Sequence, residues 1–331
     1  MINKYTFKFY TEELSDEIER LIFAGYGWEY PVYGLSRYEF CKYLHPDFIG
    51  IRNVLERTAG LFYCDGRLVA CAIDEAAGGG DCFFLFESKE YAQDEELLRM
   101  MLRHACTVMT SVDDDHVTRF VSLRIPQWNT LLLKLALENG FKKEGWSESQ
   151  LVLPFDGKRF DSSLPQGYTF ADGTQVPEFF AANVHSFSFN YGMGSRSGGE
   201  TAFSQLRKAK HYNPKLDLYI LDMDGKPVSM ARIWYDERMP YCELEPMGVA
   251  WWERRKHLAT AILHEAANRV MELYPNCAGM LGGDQPFYEK IGYEEKADTP
   301  IYRWEMSVYP SWEERSESRK YSEEAPILRQ R

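Results

Sequence analysis

Residues 241–270 read YCELEPMGVAWWERRKHLATAILHEAANRV, and the hydrophobic period changes partway along them. YCELEPMGVA reads as a strand. From Leu258 the apolar positions fall at Leu258, Ala261, Ile262, Ala266 and Val270, which is helical spacing. The connection, WWERRKH, is a short turn. A strand, a tight turn and a helix start gather unpaired main-chain N–H groups and the positive end of the helix dipole at one spot. Arg254, Arg255 and Lys256 add three positive charges there. A pyrophosphate is the natural guest of such a corner, although the same residues also fit a basic surface turn without a ligand.

Downstream, residues 276–295 read NCAGMLGGDQPFYEKIGYEE: a strand, two glycines, then a short helix at PFYEKIGY. With this segment the sequence resembles the GCN5-related N-acetyltransferase (GNAT) superfamily. That family's acyl-CoA motif, V-x-P-x-x-R/Q-x-x-G-x-G/A, is matched from Val249 through Arg254 to Ala259, with Trp251 at the proline position and His257 at a glycine position. The later motif, F-Y-E-K-x-G-F/Y, is matched by Phe287 to Tyr293. The resemblance covers most of 165–308, with a weaker copy over about 3–153, and it implies acetyl-CoA as co-substrate. It further implies a cofactor site made by Met247, Gly248, Val249, Arg254, Arg255, Lys256, His257, Leu258, Ala259 and Thr260.

N-acylation needs a neutral amine, a polarised thioester carbonyl and a proton for the departing thiolate. Glu243 and Glu245 alternate along the strand and so share a side, where two carboxylates raise the pKa of one. Glu243 stands eleven residues before Arg254, where the family resemblance implies the general base, acting directly or through water, and Glu245 is the next catalytic candidate. Either glutamate also fits a role in holding a basic neighbour. The resemblance implies Tyr288 as general acid and the Val249 N–H as donor to the thioester carbonyl. The stretch VHSFSFNYGMGSRSGG, 184–199, suits an acceptor loop through Phe187, Phe189 and Tyr191, or a helix end packed on the sheet; Trp234 is a further candidate for the acceptor pocket. The histidines lack metal-ligand spacing with carboxylates, so no metal is expected.

The first half repeats this order. YTFKFYTEELSDEIERL at 5–21 parallels YTFADGTQVPEFFAAN at 168–183, each a strand then a helix. Hairpins are expected at Asp65-Gly66 and Asp224-Gly225. Each half closes on a helix ending in glycine and an aromatic, ALENGF at 136–141 and YEKIGY at 288–293. The expectation is an α/β or α+β protein of two tandem GNAT-like domains, each a mixed, mostly antiparallel twisted sheet flanked by helices. The divisions are 1–153, a linker at 154–167, 168–310, and a polar tail at 311–331. The first domain is read as degenerate, because Asp94, Glu95 and Glu96 occupy the anion corner and LLLKLALENGF lacks the tyrosine.

Composition narrows the class. Net charge is -12, which argues against nucleic acid as partner. The seven cysteines are odd in number and form no C-x-x-C pair, which favours a reducing compartment. There is no apolar signal core and no run of roughly 18 apolar residues, so no membrane is expected and the reading is cytoplasmic. The expected function is acetyl transfer from acetyl-CoA to a primary amine, small-molecule or peptide, in a ternary complex. The alternative is a non-catalytic acyl-CoA-binding or regulatory module.

Overall fold

The computed structural model describes residues 4–28, 31–46, 54–75, 79–189 and 199–307. In chain order the elements of the first half are β1 Tyr5–Phe9, α1 Ser15–Tyr26, α2 Leu35–Glu39 continued by a π-helical turn at Phe40–Leu44, and α3 Val54–Thr58. Then come β2 Gly60–Cys64, β3 Arg67–Ile73, β4 Asp81–Phe86, α4 Glu95–Val108, β5 Ser111–Val112, β6 Thr118–Arg124, α5 Thr130–Glu138 and β7 Lys142–Pro154. The second half runs β8 Thr169–Asp172, α6 Glu178–Phe189, α7 Gly199–Leu206, β9 Asp217–Leu221, β10 Pro227–Trp234 and β11 Cys242–Val249. It ends with α8 Leu258–Leu273, β12 Gly279–Gly282, α9 Pro286–Lys290 and β13 Glu294–Ser307.

The chain forms two compact units, one of residues 1–33, 51–148 and 298–331, the other of 34–50 and 149–297. These are not the contiguous halves 1–153 and 168–310, and the sheets give the reason. The last strand, β13, pairs antiparallel with β6 from Ile301 opposite Arg124 to Ser307 opposite Thr118, so the chain's C-terminal part serves the first unit. Leu151 to Pro154 pair antiparallel with β12 and serve the second. Residues 35–39 pack against β11 and so belong to the second unit, far from their place in the sequence. The tail at 311–331 lies outside the described residues.

In the first unit β1, β2, β3 and β4 are antiparallel neighbours and β4 is parallel to β6. Asp65 and Gly66 take φ of 49° and 79°, the positive values a two-residue hairpin turn needs. α4 buries Leu97, Leu98, Met101, Leu102 and Ala105 in one stripe against the sheet.

In the second unit β11, β10, β9 and β8 are antiparallel neighbours, and β11 is parallel to β12. α8 lays Leu258, Ile262, Leu263, Ala266 and Val270 on Leu218, Ile220, Ala231, Ile233, Cys242 and Leu244. The other face of the same strands carries Arg232, Trp234 and Glu243. Phe203 of α7 covers the Arg232 guanidinium, and Phe40 meets the Trp234 ring edge-on. Arg232 is fully buried and bonds Asp217 through two nitrogens at 3.0 and 2.9 Å, which is how a buried charge is tolerated. Gly140 and Gly292 both close their helices at positive φ, 90° and 101°.

Candidate active site

β11 and β12 pair only at their starts, Cys242 with Met280 and Glu243 with Leu281. Beyond that point β12 ends at Gly282 while β11 continues along β10 to Val249, so the sheet opens between them. β11 also carries a bulge. Met247 lies opposite Ala231 and Leu244 opposite Ile233, which leaves Glu245 and Pro246 against Arg232 alone. The Ala250 N–H donates to Val228 O at 2.9 Å. Antiparallel alternation then turns the Gly248 N–H toward β10 as well, and sends those of Met247 and Val249 to the edge that β12 has left. Both donors therefore line the opening.

The opening leads to the start of α8. Arg255 and His257 take φ of 65° and 60°, and His257 is the N-cap without any side-chain bond to the helix. The main-chain N–H groups of Leu258, Ala259 and Thr260 form the first turn. A left-handed backbone favours glycine, since L side chains strain it by about 1 kcal/mol. His257→Gly is accordingly expected to stabilise the chain by about 0.5–1 kcal/mol in urea unfolding, and a loss of that size or more would mean the histidine side chain supports the turn.

The three basic residues of the turn have different occupations. Arg254 Nη2 donates to the Ser188 carbonyl at 2.7 Å, in the last turn of α6. Lys256 Nζ lies 2.8 Å from Glu253 Oε2 and 3.0 Å from the Tyr168 hydroxyl, which itself donates to Glu253 at 2.5 Å. Arg255 is exposed. Phe187 and Phe189 sit in the last turn of α6, the helix-end arrangement and not a loop; Tyr191 lies outside the described residues. Phe187 meets the exposed Trp252 edge-on at 4.9 Å. Trp234 is fully buried, and its Nε1 donates to the Glu245 carbonyl at 2.7 Å, within the bulge.

Gly248 is where α6 crosses β11. A Cβ there would stand 2.5 Å from both the Cβ and Oγ of Ser188. Gly248→Ala should therefore cost about 1–3 kcal/mol by urea titration, because helix and strand must separate; an unchanged midpoint would show that the helix end yields freely.

Glu243 and Glu245 differ in setting. Glu243 is only 6% exposed, and its Oε2 accepts the Ser36 N–H at 2.7 Å. Glu245 is exposed. Tyr288, 7% exposed, packs edge-on with Phe287 and Tyr293, and Gly282 and Gly283 make room for its ring. A Cβ on Gly283 would meet that ring at 2.9 Å. Burial pushes the Tyr288 hydroxyl up to about 12; the Glu245 carboxylate adds to this, and a bond from the Gly283 main chain opposes it.

The first unit repeats the framework with different residues. There β4 and β6 also pair parallel at two positions only, Asp81 with Ser122 and Cys82 with Leu123. Cys82 and its partner Leu123 pack in the core under α4, as Cys242 and Met280 pack under α8, which places Phe83 where the second unit has Glu243. α5 closes at Gly140 as α9 closes at Gly292, and the Phe141 N–H donates to the Ala136 carbonyl as the Tyr293 N–H donates to that of Tyr288, which places Ala136 where the second unit has Tyr288. At the start of α4 the Asp94 carboxylate accepts the Leu97 N–H at 3.0 Å, so an anion of the protein's own already sits there.

Among the described residues no group of three or more His, Cys, Asp or Glu is placed to hold a metal ion, and no helix is long and apolar enough to cross a membrane. Sequence reasoning missed Ser36 and Ser188. Neither stands in a motif, and Ser36 lies 207 residues from the carboxylate it contacts.

No protein-family model and no curated protein matches the chain. Among solved structures it is similar to a GCN5-related N-acetyltransferase from Sphaerobacter thermophilus, with 16% identity and a TM-score of 0.60 over 93% of this chain and 98% of that one. It is similar to a tandem GNAT protein from the clavulanic acid biosynthesis pathway, with 13% identity and a TM-score of 0.61 over 93% and 99% of the two chains. A GCN5-related glucosamine N-acetyltransferase region of a fungal multi-domain GH3 beta-N-acetylglucosaminidase aligns at 12% identity and a TM-score of 0.52, over 91% of this chain and 38% of that one. At these identities the likeness is one of fold.

Proposed function

The chain has the tandem GCN5-related N-acetyltransferase fold, and on that basis we propose that its second unit transfers an acetyl group from acetyl-CoA to a primary amine. The carrying observation is the opening between β11 and β12 that ends at the uncapped start of α8. The pyrophosphate rests on the N–H groups of Leu258, Ala259 and Thr260, with Arg254, Arg255 and Lys256 around it. The bound CoA supplies an activated thioester, whose carbonyl oxygen accepts the Val249 N–H at the open edge of β11; Met247 and Gly248 complete that edge. Phe187 and Phe189 border the acceptor side.

The step balances as follows. The amine nitrogen attacks the carbonyl carbon, the C–S bond breaks, the nitrogen's proton passes to Glu243, and the thiolate takes the Tyr288 proton. Glu245 stands by to hold a cationic acceptor. The first unit, with Phe83 and Ala136 at the matching positions and Asp94 on its helix, has no transfer role.

The test is thiol release from acetyl-CoA across an amine panel, with Glu243→Gln expected to slow turnover at least 100-fold. CoA binding without release for any amine would favour the non-catalytic binding module. The raised phenol also gives a pH expectation. Tyr288 keeps its proton through the neutral and mildly alkaline range, so activity should persist on the basic side to above pH 10. A fall centred near pH 8 would show that Tyr288 is not the acid.

A further inference from the structure

We propose that residues 34–46, which come from the first half of the sequence, are a positioning element for Glu243, with the Ser36 main-chain N–H fixing the orientation and charge of its carboxylate. This rests on the transfer reading above and adds to it a part no motif marks. α2 begins at Gly34, which as N-cap has extended backbone and no side chain to bond the first turn. The Ser36 N–H is one of the early helix donors that find no partner inside a helix. An N-cap Ser or Asp would normally accept it. Here the acceptor is Glu243 Oε2 at 2.7 Å, on a buried carboxylate.

The segment is fastened at two further points. Glu39, itself buried, lies 2.7 Å from His211 Nδ1, whose Nε2 is 3.5 Å from Asp236. Phe40 packs edge-on against Trp234, which bonds the bulge at Glu245. The helix start is therefore held in register with β11, and its donor has one place to go. A hydrogen bond given to a carboxylate favours the charged form, which is the form that accepts the amine proton.

The charged and titratable groups on the elements packed around Glu243 include Cys242 and Glu245 on β11, Arg232 on β10, Arg37 and Glu39 on α2, and His185 on α6. The variants leave all of these in place. Ser36→Pro deletes the donor in the first turn, where the lost N–H breaks no bond within the helix, and Ser36→Ala keeps it. Gly34→Ser is a second route, giving the helix a cap oxygen that competes for the same N–H.

Two readouts on the full chain decide the matter. One is the titration midpoint of the 13C-labelled glutamate carboxyl signal that vanishes in Glu243→Gln. The other is the acidic limb of acetyl-CoA thiol release with a panel amine. Ser36→Pro and Gly34→Ser should each raise both midpoints, by up to about one pH unit, while Ser36→Ala moves neither. An unmoved carboxyl midpoint overturns the proposal. So does a moved midpoint with an unmoved activity limb, since the contact would then be a helix cap alone. A chain that releases no thiol with any amine defeats the transfer reading, and the carboxyl shift, measured without substrate, tells that failure from the other.

Discussion

Tyr288→Phe is expected to lower kcat about 100-fold or more while leaving the dissociation constant of CoA within about twofold. The phenylalanine ring keeps the packing against Phe287 and Tyr293 and the space cleared by Gly282 and Gly283. Only the hydroxyl, and with it the proton, is removed. A thiolate leaving without a donor must depart charged, which is what general acid catalysis avoids. The burial that raises Tyr288 to about 12 also keeps its proton available at neutral pH. The split between kcat and binding distinguishes this role from packing. Equal losses in kcat and CoA affinity would mean that the ring holds the cofactor and the acid lies elsewhere.

His257→Asp is expected to weaken CoA binding by about 100-fold, equivalent to about 2.7 kcal/mol, with little loss of folded stability. The first unit supplies the reasoning. Its helix α4 starts beside Asp94, whose carboxylate accepts the Leu97 N–H. A carboxylate at a helix start suits the dipole, and for the same reason it excludes a second anion. α8 begins instead at a left-handed histidine with no side-chain bond to the helix. Aspartate tolerates that backbone, so the change puts at the start of α8 the kind of carboxylate that α4 already carries. Unchanged affinity, measured by isothermal titration with CoA, would place the pyrophosphate away from α8.

The parts of the molecule legible in the sequence are those set by near neighbours. The turn at Asp65-Gly66, the change of period at Leu258 and the glycine ends at Gly140 and Gly292 each depend on a few adjacent residues, and each stands where the pattern put it. The left-handed backbone at His257 was not legible, because nothing in the residue type at that position signals it. Other features depend on contacts that local pattern does not carry. The pairing of β13 with β6 joins residues about 180 positions apart, so the units could not be divided by composition at the linker. The bulge separates Glu243 from Glu245 in environment, although strict alternation gave them one face. The aromatic stretch before Asn190 looked equally like a loop or a helix end, and the closeness of Ser188 to Gly248 is what a helix end requires.

A crystal structure with bound CoA tests the central claim most directly. The expected map has phosphate oxygens within hydrogen-bond reach of the amides of Leu258, Ala259 and Thr260, and the sulfur between β11 and β12 on the side of Tyr288. Density for CoA in the first unit, or at the second unit's surface with the opening still closed to it, would contradict the account.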